Sequence, residues 1–234
     1  MSMYTEEISA DTSWPVEATR RMNRMYRRQR HIYDGTRRYY LLGRDRLIEN
    51  LEPNAGANVL EIGCGTGRNL VHAARLYPGA RFFGIDISTE MLTSAISAIS
   101  RRDLTKRIRV AHGDGTAFNP QVLFGIAQFD HVMISYSLSM IPDWRNVLQA
   151  AASRLKPGGS LHIVDFGNQE RLPGIARTLL KRWLALFDVT PRDDLERELS
   201  AMVRTSGADL KFERPFHGYA QYAVLTLPPQ PKAA

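Results

Sequence analysis

The stretch Val59-Leu-Glu-Ile-Gly-Cys-Gly-Thr-Gly67 constrains this chain more than any other. A short apolar run, Asn58 to Ile62, carries one acid, Glu61. Three glycines follow at alternate positions, Gly63, Gly65 and Gly67, and then a helical stretch, Arg68 to Tyr77. The pattern reads as strand, tight loop and helix. Glycine lets the loop take φ > 0 and lets a ligand approach the backbone without a Cβ in the way. The helix behind the loop offers unpaired N–H groups to a carboxylate or phosphate.

Strand and helix signals alternate from there. Val59–Ile62, Arg81–Ile85, Ile108–His112, Phe129–Ser135 and Ser160–Asp165 read as strands. Arg68–Tyr77 is a helix stopped by Pro78-Gly79. Ser88 caps another that runs to about Ser100. Trp144–Leu155 is a third, closed by Pro157-Gly158-Gly159. Such alternation builds a parallel sheet covered by helices on both faces. Gly174–Phe187 reads as a helix with Leu179, Leu180, Trp183, Leu184 and Phe187 on one broad face, open to use as lid, membrane contact or core. Thr190-Pro191 carries the signature of a helix start. Lys211–Pro215 and Tyr219–Leu227 read as an antiparallel pair turned near His217-Gly218. The expected fold is α/β: a Rossmann-like, seven-stranded, mostly parallel sheet with the last strand antiparallel. An N-terminal helical arm precedes it.

The domain organisation follows. Residues 1–15 read as a flexible leader, 16–52 as a basic amphipathic helical arm or lid, 53–227 as the α/β domain and 228–234 as a tail. A chain of 234 residues holds one such domain with appendages. The single cysteine, Cys64, excludes an intrachain disulfide and a cysteine-built metal site. It reads as a small residue packed in the loop. The six histidines form no metal-like cluster, so no metal site is expected. No apolar run reaches the ~18 residues of a membrane span, and the acidic N-terminus is not a signal peptide. A cytoplasmic location is expected.

The net charge of +7 is localised. Arg20 to Arg46 contains ten arginines, two aspartates and no lysine, a net charge of eight, so the rest of the chain is close to neutral. That distribution suggests one targeted surface contact, not a nucleic-acid-binding domain.

The glycine loop admits two chemistries. A dinucleotide fingerprint, Gly-x-Gly-x-x-Gly, would start at Gly63 and place its third glycine at Arg68, so it fails. The actual run, Glu61-x-Gly63-x-Gly65-x-Gly67, resembles the first motif of class I S-adenosylmethionine-dependent methyltransferases. Phe82-Phe-Gly-Ile-Asp86, His112-Gly-Asp114-Gly-Thr116, Phe129-Asp-His-Val-Met-Ile-Ser135-Tyr136-Ser-Leu-Ser139 and Leu155-Lys-Pro-Gly-Gly159-Ser-Leu-His-Ile-Val-Asp165 continue the resemblance in order over roughly residues 57–167.

The resemblance implies S-adenosyl-L-methionine as cofactor. It implies Glu61, Gly63, Gly65, Gly67 and Asn69 around the loop, Asp86 on the ribose hydroxyls and Ile87 beside the adenine. It further implies Asp114, Gly115 and Thr116 at the adenine amino group, with Ser135 after the fourth strand. Gly-Asp-Gly is also a common turn, and Asp165 reads equally as structural. Methyl transfer from a sulfonium leaves a neutral thioether, so positioning and exclusion of water carry catalysis, without a catalytic triad. A cofactor-binding regulator without activity is the reading from outside enzymology; the intact acids Glu61, Asp86 and Asp114 argue against it.

The stretch from Met25 to Ile48, rich in arginine and tyrosine, resembles the N-terminal arm of the bacterial diacylglyceryl-homoserine N-methyltransferases of betaine lipid synthesis. That implies a lipid amine acceptor methylated three times to diacylglyceryl-trimethylhomoserine, with the arm, residues 16–46, on an anionic membrane surface and the protein peripheral on the inner face. Tyr26, Tyr33 and Tyr136 would surround the methylammonium through cation–π contact, and Arg44 would approach the cofactor's carboxylate. His31 reads as a partly exposed interface residue and not as a base; plain packing of the tyrosines on the core and a solvated arginine face are the structural alternatives. A phosphatidylethanolamine N-methyltransferase, or a methyltransferase on a small soluble, quinone-like or nucleic-acid acceptor, is the alternative function; no nucleic acid is expected.

Overall fold

A computed structural model describes residues 41–170, 173–185 and 189–230. Seven strands form one sheet in the order β3-β2-β1-β4-β5-β7-β6. They are β1 (Asn58–Ile62), β2 (Arg81–Asp86), β3 (Ile108–His112), β4 (Phe129–Ser135), β5 (Leu155–Phe166), β6 (Asp209–Glu213) and β7 (Ala220–Thr226). The first five are mutually parallel. β7 runs antiparallel between β5 and β6. The expected seven-stranded, mostly parallel, Rossmann-like sheet with an antiparallel last strand is therefore present.

Seven helices among the described residues matter here: α1 (Arg44–Glu49), α2 (Arg68–Leu76), α3 (Thr89–Ser100), α4 (Pro120–Phe124), α5 (Trp144–Ser153), α6 (Gly174–Ala185) and α7 (Leu195–Ser206). Burial of their apolar stripes divides them between the faces. Leu47 and Ile48 of α1, Leu70 of α2, Leu92 of α3 and Leu184 of α6 share a core with Val59, Phe82 and Met133. Phe124 of α4, Val147 of α5 and Leu195 of α7 pack with Leu60, Ile85 and Leu161 on the other face. Side chains alternate across each strand, so each strand feeds both cores. The strand order reverses direction between β1 and β4, which opens a crevice at the carboxyl ends of these strands.

Several local expectations are corrected. β5 begins at Leu155, so Pro157-Gly158-Gly159 lies inside the strand, and α5 ends at Ser153. Phe129, the first residue of β4, pairs with Leu155, the first residue of β5, across a register shift, which extends β5 backwards. α7 starts at Leu195 behind Asp194, not at Thr190-Pro191; the segment before it is tied to the rest of the fold, the Thr190 N–H donating to the Ser139 carbonyl at 2.9 Å and the Arg192 carbonyl accepting from Gln221 Nε2 at 3.0 Å. The broad apolar face of α6 divides: Leu184 is buried, Leu180 and Trp183 are half-buried, and Leu179 faces solvent. Residues 1–40, which hold the leader and most of the arm, lie outside the described residues. The arm's end does not: Leu47, Ile48 and Leu51 are buried in the main core, so α1 belongs to the domain.

Candidate functional site

The glycine loop is held from below by the end of β2. Gly63 and Cys64 donate their N–H groups to the Ile85 carbonyl at 2.9 and 3.0 Å. Gly65 donates to Asp86 Oδ2 and Ser88 to Asp86 Oδ1, both at 2.8 Å. Asp86 thereby fixes the loop while each of its oxygens keeps acceptor capacity. Gly63 and Gly65 adopt left-handed φ of 72° and 53°. A Cβ on Gly63 would sit 2.7 Å from Ser137 Cβ, so the loop and the segment after β4 close on each other only with glycine there.

Above the loop is a cleft of about 340 Å³, within the range that encloses a small ligand. Arg44, Glu61, Gly63, Gly65, Asn69 and Asp86 line it. So do Ile87, Asp114, Gly115, Thr116, Ser135 and Tyr136. The cleft thus gathers the expected site residues from α1, β1, β2, β3 and β4. Gly67 is the exception. It does not reach the cleft; it caps α2 with φ 73° and lies so near α3 that a Cβ would meet Ala95 Cβ at 3.1 Å. Its role is to let two helices approach. Tyr26 and Tyr33 lie outside the described residues.

Glu61 is at the cleft floor, 1% exposed. Asn69 Nδ2 donates to its Oε1 at 2.7 Å, while Oε2 has no hydrogen-bond partner in the protein. Burial pushes its carboxyl up to about 8, against the opposing pull of the Asn69 amide and the Arg44 charge. Asp114 accepts from the Thr116 N–H and hydroxyl, each at 2.8 Å, which turns the segment after β3 into the cleft. His112 Nε2 donates to the Ile87 carbonyl at 3.0 Å and sets the β2–β3 rim.

Tyr136 follows β4 in a left-handed conformation, φ 53°, which is costly for a bulky residue. Its hydroxyl donates to the Leu42 carbonyl at 2.5 Å, and Phe166 meets its ring at 4.7 Å. Burial raises its phenol well above the ordinary value, so it stays neutral. Leu41, Ser137, Met140, Ile141, Pro142 and Asp143 also line the cleft. Sequence reasoning passed over these. Met140 sits in the short 3₁₀ turn Leu138–Met140, and Ile141, Pro142 and Asp143 in the irregular link from it to α5, so none of them shows a periodic signal.

The site fits an S-adenosylmethionine-sized ligand on two grounds of its own. Glu61 Oε2 is a buried, unpartnered acceptor at the floor. The backbone at Gly63 leaves a cradle that a Cβ would fill. Residues 59–159 match the family model described as a methyltransferase domain. Residues 59–159 are therefore a methyltransferase domain, with a cleft that fits S-adenosylmethionine.

Relatives of this methyltransferase domain differ in substrate. Demethylmenaquinone methyltransferase of Listeria monocytogenes is 32% identical over 120 residues, 51% of this chain and 48% of that protein. Nocamycin O-methyltransferase of Saccharothrix syringae is 32% identical over 133 residues, 56% of this chain and 45% of that protein. The chain thus spans about half the length of the curated relatives it matches. In fold, an O-methyltransferase family protein from Burkholderia thailandensis superposes with a TM-score of 0.67 at 18% identity, over 92% of this chain and 64% of that one. The phosphoethanolamine N-methyltransferase 2 of Haemonchus contortus, solved with S-adenosyl-L-methionine, gives 0.63 at 17% identity, over 80% and 52%.

Proposed function

We propose that this protein is an N-methyltransferase acting on the amine of a lipid headgroup. The acceptor of choice is diacylglyceryl-homoserine, taken through three methylations at a membrane surface. One observation carries the reading. The arginine-rich stretch that resembles the arm of the betaine-lipid enzymes ends in the cleft wall itself: Leu41 and Arg44 line the cleft, and Leu42 is bonded to Tyr136. An arm that reaches its acceptor surface would then be continuous with the cofactor site.

When bound, S-adenosylmethionine supplies a methyl group on a sulfonium that departs as a neutral thioether. Asp86 and Ile87 would hold its ribose and adenine, Asp114 to Thr116 the adenine amino group, and Glu61, Asn69, Arg44, Ser135 and the loop glycines its methionine end. The chain's own work is positioning. Tyr136, Met140, Ile141 and Pro142 exclude water from the acceptor side. The Tyr136 ring gives a methylated ammonium a face to rest on. Asp143 at the rim attracts the cationic headgroup. The amine must be uncharged to attack, and burial near a cationic sulfonium favours its neutral form.

A quinone-like acceptor is the second reading, favoured by the similarity to demethylmenaquinone methyltransferase. Labelled S-adenosylmethionine with the purified chain and diacylglyceryl-homoserine, phosphatidylethanolamine or a demethylated menaquinone separates them. Label in the homoserine lipid, in three steps, is the expected result. Label in the quinone alone would replace this reading with the second.

A further inference from the structure

A second concave surface lies beside the cofactor cleft, outside the site described above. It is a groove of about 660 Å³ between α2 and α3, meeting the cleft at Thr66 and Arg68, which line both. Arg68, His72 and Arg75, one helical face of α2, form one wall; Arg101 and Arg102 close the far end of the other. Hydroxyls of Thr93 and Ser97 lie between them. Glu90 is the one carboxylate in the lining.

The groove gathers four arginines and a histidine against a single lining carboxylate. Elsewhere on the described surface several cations face carboxylates: Arg46 with Glu213 at 2.8 Å, Arg145 with Asp194 at 3.2 Å and Glu198 at 3.0 Å, Lys156 with Asp130 at 2.9 Å, Arg214 with Glu196 at 2.7 Å. In the groove, Asp45 stands 3.6 Å from Arg68 and 3.5 Å from His72, while Arg75 and Arg101 have no ion pair among the described residues. Like charges lining one concavity concentrate a positive potential that an anion relieves.

Two features identify the anion. Exposed apolar side chains sit on the same two helices, Leu76 at 45% and Ile96 at 56% exposure. Basic residues beside exposed apolar ones suit the interface of an anionic bilayer. The lining holds no aromatic residue, whereas single-stranded nucleic acid is gripped by basic residues interleaved with stacking aromatics. We propose that the α2–α3 groove binds phosphate groups of anionic lipids and sets the cofactor cleft against the bilayer surface. This holds whichever acceptor is methylated.

The test is sedimentation of the full chain with vesicles of phosphatidylcholine alone or mixed with phosphatidylglycerol. Arg75→Glu/Arg101→Glu is compared with a charge-matched control at the other side of the sheet, Arg204→Glu/Lys211→Glu. The groove pair should lose about tenfold or more of its affinity for the anionic vesicles, and the control little. Arg75→Gln/Arg101→Gln should move the same way, which decides the matter if the glutamate pair fails to fold. S-adenosylhomocysteine affinity, read by calorimetry, should be unchanged in all. Unchanged vesicle binding in the groove variants, equal loss in the control, or full displacement of vesicles by inorganic pyrophosphate or a single-stranded oligonucleotide would each overturn the proposal.

Discussion

Glu61 is a buried acid whose carboxyl keeps its proton at neutral pH while no cation stands beside Oε2. Burial pushes its carboxyl up to about 8, and Asp86 nearby adds to that. A ligand bearing an ammonium group favours the ionised form, so binding drives the proton off. Affinity for S-adenosylmethionine should therefore rise up to about tenfold per pH unit below pH 8 and level off above it. Calorimetry in buffers of different ionisation enthalpy should count close to one proton released. Glu61→Gln should bind more weakly and lose the slope; a pH-independent wild-type affinity would sink the idea. Tyr136 gives a second residue-scale expectation. Tyr136→Phe keeps the ring in the cleft wall but removes the donor to the Leu42 carbonyl, a change of about 1 kcal/mol. The acceptor's KM should rise about fivefold with cofactor affinity unmoved, and equal losses in both would point to general loosening. Much of this site was legible: Glu61, Asp86 and the glycines announce themselves by type and spacing. Gly67 was misread because a packing glycine and a ligand glycine look alike in sequence. Met140 and Asp143 were passed over because a 3₁₀ turn and the irregular link after it leave no pattern.

At the scale of elements, periodicity and caps carried the first five strands and three of the four helices between them; the five-residue helix Pro120–Phe124 is too short to show a period and was not read. They failed where a tertiary contact decides the outcome. Thr190-Pro191 has every local mark of a helix start, but Gln221 takes the Arg192 carbonyl and Ser139 holds Thr190, and the helix waits for Leu195. β5 runs back through a proline and two glycines because β4 offers it a partner. The join between β5 and β7 rests on a contact of the same kind. Gly167 donates to the Tyr219 carbonyl, and Gln169 to the Gly218 carbonyl, both near 2.9 Å. A Cβ on Gly167 would collide with the Gly218 carbonyl. Gly167→Ala should therefore cost about 1–3 kcal/mol, read as a lower midpoint in urea with an unchanged slope. Gly174→Ala, which meets nothing within 4 Å, is its control. Equal stability in the two variants would remove the close approach as a constraint.

For the whole molecule, the buried titratable groups set how stability follows pH. His131 Nδ1, Ser160 Oγ and His162 Nε2 form a hydrogen-bonded chain of 2.8 and 2.7 Å through β4 and β5. Burial pulls His162 down to about 3 and His131 below its ordinary value. Unfolded histidine binds a proton near pH 6.5. Below that pH the unfolded chain holds more protons than the folded one, so stability falls as pH drops from about 6.5. Glu61 has the opposite sign. Its folded value, about 8, lies above the unfolded one near 4.3, so the folded chain holds the extra proton and stability falls as pH rises through that window. Asp165, fully enclosed and also raised by burial, adds to the same limb. The two trends oppose each other between about pH 4.3 and 6.5, and each acts alone outside that window. The unliganded chain should show a melting temperature that falls on both sides of a mildly acidic plateau. Saturating S-adenosylhomocysteine, which keeps the ammonium beside Glu61, should flatten the alkaline limb and leave the acid limb in place. His162→Gln, which keeps a donor toward Ser160, should flatten the acid limb and leave the alkaline one. If the ligand shifts both limbs by the same amount at every pH, Glu61 is not the group through which the cleft senses its cofactor.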